Sequence, residues 1–193
     1  MANLLVLSYE LEAIQSFISR VFTSVDHEYS GIVRESEAGA FADEDDEANA
    51  SFLAMQSEEI AIRSALGELN ALVEWELQII ASKPYLEQQE GRPSKRRRSV
   101  HDLKWPELHH LIEDYYQFKI ADLPAYQDVE EMRKIVNAYK HRKGFKDPRR
   151  ELDWTQFLER YELERENVFR YIQAVKEFLK AIWSATNVLY LDV

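Results

Sequence analysis

Apolar side chains in the first part of the chain return at Leu7, Leu11, Ile14, Ile18, Val21 and Val25, in steps of four and three that draw one stripe along a helix. The same spacing recurs at Met55, Ile62, Leu66, Leu69, Val73 and Ile80, which predicts a second helix starting near Glu47 to Ser51 and ending near Ile80. Gly67 inside it costs about 1 kcal/mol against alanine and points to close approach by another helix. A third, shorter helix fits "WPELHHLIEDYYQF", with Pro106 in its first turn. A fourth begins at Pro124 or Asp128, where Asp128 and Glu131 have capping-box spacing, and stops before Gly144, with Val129, Met132, Val136 and Tyr139 as its stripe. A fifth follows "DWTQ", with Asp153 as N-cap, and carries Tyr161, Val168, Ile172, Val175, Leu179 and Ile182 to about Ala185.

Between these stripes lie two polar stretches. Residues 36–50 contain Gly39 and the acidic run Asp43 to Glu47, which predicts a solvated acidic loop. Residues 83–104 contain Pro84, Gly91, Pro93 and four consecutive basic residues, which predicts a long basic loop. With no βαβ alternation and no Gly-rich phosphate loop, the pattern predicts an all-α, antiparallel bundle of four or five helices, built as a single domain over residues 1–193.

Composition narrows the chemistry. The chain has no cysteine, which removes disulfides, thiolate metal sites and cysteine nucleophiles and makes a cytoplasmic setting the expectation. The apolar run Leu4–Leu7 meets Glu10 and Glu12 too early for a signal peptide, and no stretch is apolar enough for a membrane span, so a soluble protein is expected. The net charge of −11 is unevenly spread: residues 1–90 hold 4 basic against 18 acidic side chains, residues 91–150 hold 15 against 9. A basic island in an acidic chain marks either an anion-binding surface or a face that meets an acidic one in a dimer.

Within that island, Arg133, Asn137 and His141 are spaced by four and form one polar edge beside the apolar stripe, with Lys134, Lys140, Arg142 and Lys143 around them. Histidine suits proton transfer near neutral pH and arginine grips phosphate with paired hydrogen bonds, so the three are candidate catalytic groups on a phosphodiester. A histidine at a basic helix end also complements the helix dipole with no further role. Lys140, Arg142, Lys143 and the loop run Lys95, Arg96, Arg97 and Arg98 are candidate phosphate contacts. A di-metal bundle needs two Glu-x-x-His pairs and further inward glutamates; Glu107 with His110 supplies one pair, so no metal or other cofactor is expected. The tryptophans Trp75, Trp105, Trp154 and Trp183 fit core or interface anchors.

The string "VEEMRKIVNAYKHRKG", together with "ELNALVE" at 68 to 74, resembles the signature regions of the HEPN superfamily. The resemblance implies a helical bundle that usually dimerises, in a family where many members are metal-independent ribonucleases of phage defence, toxin–antitoxin systems and RNA processing. Their motif is an arginine, usually followed by a polar residue such as asparagine, then histidine four to six residues after the arginine. It would imply attack by a ribose 2′-hydroxyl on the adjacent phosphate, histidine moving protons and arginine holding the oxygens. Aligning Asn137 and His141 with the motif puts Val136 where the arginine stands, and Lys143 where some members carry a modifiable tyrosine. Losing one preorganised charge donor costs on the order of 10²–10³ in rate. The expectation is therefore a degenerate member that binds RNA or a partner protein as a homodimer. Its alternatives are an endoribonuclease using Arg133 with His141 and a purely structural dimeric bundle.

Overall fold

The computed structural model describes residues 4–89, 99–145 and 160–187. It is an all-α helical bundle: among the described residues there are five α-helices and no strand, only an isolated antiparallel bridge between Phe145 and Arg160. The helices are α1 (Leu4–Glu37), α2 (Glu44–Gln89), α3 (Trp105–Tyr116), α4 (Tyr126–Arg142) and α5 (Arg165–Ala185). Short 3-10 turns lie at Val100–Asp102 and Ile120–Asp122. No helix among the described residues is long and apolar enough to cross a membrane.

Both connectors flanking α2 are shorter than the sequence pattern predicts. The acidic loop expected over 36–50 shrinks because α1 continues to Glu37 and α2 already starts at Glu44. Four carboxylates, Glu44, Asp45, Asp46 and Glu47, fill the first turn, where the helix dipole favours negative charge. Asp43 completes the cap by accepting the Asp46 N–H at 3.0 Å. The basic loop expected over 83–104 loses its beginning to α2, which runs through Pro84 to Gln89. Pro84 is buried inside the helix, although its ring removes one hydrogen bond of the ladder. The run Lys95, Arg96, Arg97 and Arg98 and the expected cap Asp153 lie outside the described residues.

The chain divides into two compact units. The first comprises Met1–Leu11, Leu69–Lys134 and Arg170–Val193, and the second Glu12–Glu68 and Ile135–Phe169. In the first, Leu69, Val73, Leu77 and Ile80 of α2, Leu108 and Ile112 of α3, Val129 and Met132 of α4, and Val175, Phe178, Leu179 and Trp183 of α5 are buried. Trp183 satisfies its indole by donating Nε1–H to Glu76 at 3.0 Å. In the second, Ala54, Ala61, Ile62, Ala65 and Leu66 of α2 and Ile18, Phe22 and Val25 of α1 are buried. Arg165 ties this unit together: it binds Glu58 through Nε (2.7 Å) and Nη2 (2.6 Å), reaches Asp26 at 2.8 Å, and lies over the Phe22 ring.

Four stripe residues need correction. Phe22, not Val21, is buried in α1, and Met55 is exposed rather than buried in α2. In α4 the buried residues are Val129, Met132, Ile135 and Ala138, with Val136 and Tyr139 only half-buried. Steps of three turn the stripe back by about 60° each time on a helix of 3.6 residues per turn, so the buried face winds around α4 instead of running straight. Gly67 meets nothing within 4 Å of where a Cβ would stand, so the close helix approach expected there is not made among the described residues.

Candidate functional site

The N-terminal half of α4 belongs to the first unit, and its candidate residue is fully engaged there. Arg133 donates from Nε and Nη2 to the two carboxylate oxygens of Glu130, both at 2.8 Å, one turn back on the same helix. Its guanidinium also lies 5.1 Å from the centre of the Trp105 ring. Burial alone would lift the Glu130 carboxyl, but the Arg133 hydrogen bonds and charge outweigh it and hold that carboxyl below its ordinary range. Trp105 packs against His109 with ring centroids 4.7 Å apart, and His109 in turn faces Tyr126 at 6.0 Å. Burial pulls the His109 pKa down despite Glu113 and Glu130 nearby. The Trp105 Nε1 and His109 Nε2 atoms are buried with no hydrogen-bond partner among the described residues.

The C-terminal half of α4 lies in the second unit and behaves oppositely. Lys140, His141 and Lys143 are exposed, Asn137 is half-exposed, and none of the four side chains has a hydrogen bond or ion pair among the described residues. His141 stands eight residues from Arg133, about 12 Å along the helix axis at 1.5 Å per residue. The predicted trio is therefore not brought together: Arg133 is held by Glu130, and His141 has no orienting acceptor among the described residues. The candidate contact Arg142 is helical.

A compact tie fixes this end of α4. Gly144 takes φ +87°, a left-handed value suited to glycine, and its N–H donates to the Ala138 carbonyl at 3.0 Å. Tyr161 N–H donates to the Gly144 carbonyl at 3.0 Å, while Tyr139 O–H donates to the Tyr161 carbonyl at 2.9 Å. The Tyr139 ring sits so close that a Cβ on Gly144 would lie 2.6 Å from two of its carbons.

Beside the tie is a cavity of about 380 Å³, lined by Ile60, Arg63, Ser64 and Leu66 of α2 and Ile135, Val136, Tyr139 and Lys140 of α4. Val136, which aligns with the motif arginine, thus lines a cavity to which α2 brings a different arginine. Arg63 lies 5.5 Å from the centre of the Tyr139 ring and 3.9 Å from Glu59, a distance at the limit of an ion pair. The sequence pattern did not single out Arg63. Its signal was there, since it is the one basic residue between Arg34 and Lys83.

The remaining candidates fall to ordinary structural work. Glu107 accepts the Lys104 N–H at 2.7 Å at the start of α3, and the exposed His110 pairs with Asp114 at 3.1 Å, so the two do not act together on a metal. No group of three or more His, Asp or Glu side chains among the described residues is arranged to hold a metal ion. Asp128 and Glu131 do not form the expected capping box; both bind Arg170 of α5, at 2.9 and 2.8 Å. Trp183 is buried, whereas Trp75 is 54% exposed and stacks on His101.

No protein-family model, curated protein or solved structure matches this chain. The chemistry must be read from the site. His141 has no orienting partner among the described residues, and Arg133 is already engaged by the Glu130 carboxylate. Exposed cations with no carboxylate partner, next to a cavity of mixed character, are suited to binding an anion.

Proposed function

We propose that this chain is a non-cleaving, HEPN-like module that binds RNA through the C-terminal turn of α4. One observation carries the reading: in a chain of net charge −11, where Arg133, Arg165, Arg170 and Lys119 are all held by carboxylates, Lys140 and Lys143 are not, and His141 stands beside them. Acidic side chains are in excess, so cations kept clear of them remain available for an outside anion. The Gly144 tie supports this by holding the turn in place before any ligand arrives, which lowers the ordering cost of binding. The motif resemblance supports RNA over other anions and points toward a defence or toxin–antitoxin setting. Val136 in the arginine position argues for binding without cleavage.

Fluorescence anisotropy of a labelled single-stranded RNA, titrated with protein across a salt series, tests the reading. Phosphate contacts by the two lysines predict a log–log salt slope of about −1.4. The double variant Lys140→Glu, Lys143→Glu should bind at least about tenfold more weakly, by roughly 0.7 kcal/mol or more for each contact. No detectable binding at low salt, or binding indifferent to these two charges, would sink the proposal, and efficient metal-independent cleavage lost in His141→Ala would replace it with the enzymatic one.

A further inference from the structure

One face of α2 in the second unit has an unusual linear order. Asp45, Asp46, Phe52, Leu53, Ile60 and Arg63 fall within about 120° of arc on a helix of 3.6 residues per turn. Phe52, Leu53 and Ile60 are 54%, 65% and 53% exposed, although each belongs to the residue types most often buried. Along the helix the order is acid, apolar, base. Gly67 continues the same face toward the C-terminal side, and nothing among the described residues comes within 4 Å of where its Cβ would stand.

We infer that this face of α2 pairs with the same face of a second copy of the chain, in antiparallel register about a two-fold axis near residue 54. An acid–apolar–base series is its own complement only when reversed: antiparallel, Asp45 and Asp46 of each copy meet Arg63 of the other, whereas parallel pairing sets like charge on like. The partner is chosen by that charge order. Phe52 and Leu53 then lie beside the axis and cover their counterparts, giving an apolar centre inside a charged rim. Arg63 is suited to the role because its 3.9 Å approach to Glu59 leaves its donors largely unspent. Gly67 leaves room for close approach by the other copy. This interface goes beyond the RNA-binding reading: Ile60 and Arg63 also line the cavity that Lys140 borders, whereas Asp45, Asp46, Phe52 and Leu53 do not.

Sedimentation equilibrium of the full chain, over a range of concentrations, tests the pairing. The unmodified protein should be a dimer at micromolar concentration. Leu53→Asp should weaken the dimer at least about 30-fold, the effect of losing a ~2 kcal/mol anchor. Ile60→Asp should weaken it in the same direction. Both sites are exposed, so far-ultraviolet circular dichroism should stay unchanged. Arg63→Glu should weaken association, and adding Asp45→Lys with Asp46→Lys should restore it, because reversing both charges recreates the same complement. A monomer at every concentration overturns the inference. So does a dimer that survives Leu53→Asp and Ile60→Asp, or a charge reversal that fails to rescue.

Discussion

The two halves of α4 carry similar side chains and use them in opposite ways. In the first unit, Arg133 is bound by Glu130 at two points and shielded by Trp105; in the second, Lys140, His141 and Lys143 stand in solvent without a carboxylate. The difference comes from what lies three and four residues away. Glu130 precedes Arg133 by one turn, while the residues one turn before Lys140 and His141 are Val136 and Asn137, which have no charge to offer. Positive charge on a helix thus says little about binding until its neighbours are counted.

The largest expected effect on that contrast comes from removing the device that fixes the free half. Gly144→Ala puts a Cβ into the Tyr139 ring and a side chain into left-handed backbone, and should lower stability by roughly 2–4 kcal/mol in urea unfolding, with RNA affinity falling alongside. An unfolding midpoint equal to that of the unmodified protein would mean the tie does not hold the turn.

Arg133→Ala comes next, because it strands the half-buried Glu130. It should cost about 1–3 kcal/mol of stability and leave RNA binding unchanged. Lost RNA binding with unchanged stability would erase the distinction between the halves.

The pH dependence should be smaller and separable. His109 has its pKa lowered by burial, so the unfolded chain takes up its proton first as pH falls. Stability from this group is complete above the ordinary value of 6.5 and drains away as pH drops below it. Glu130 and Glu113 have lowered values too, and their contributions are lost only further down, below 4.5. Thermal melts from pH 7 to 5 should show a decline that His109→Phe flattens, while the loss below pH 4.5 persists. An unaltered decline in the variant would assign the upper window to other groups.

The smallest effect belongs to the residue that the sequence makes most conspicuous. His141→Ala should leave stability within about 0.5 kcal/mol, as surface substitutions usually do, and should reduce RNA affinity only modestly.

How far the sequence carried can be judged residue by residue. The existence of the helices, Pro106 at the start of α3 and Gly144 after α4 were legible because each rests on local geometry. The winding face of α4 was not, since Val129 and Met132 allow the next buried residue at either Ile135 or Val136 and only packing chooses. The pairing of Arg133 was visible in "EEMR" as a Glu three residues before an Arg, but the apparent motif drew attention toward His141 instead. The binding of Arg165 to Asp26, 139 residues away, leaves no local trace at all. Neither does the meeting of Arg63 with Val136 at one cavity, which depends on how α2 and α4 pack in the second unit.

Pro84 gives α2 a weak link in time as well as in bonding. Its ring supplies no N–H to the carbonyl four residues earlier, at Ile80, so the ladder of amides is interrupted there although the helix continues to Gln89. Fraying that starts at Gln89 can therefore run back through Tyr85 and stop, without unwinding the turns before it. The last turn should therefore exchange its amide hydrogens with solvent sooner than the buried stretch around Leu77. The longest helix of the chain is thus two segments to a proton, and one to the eye.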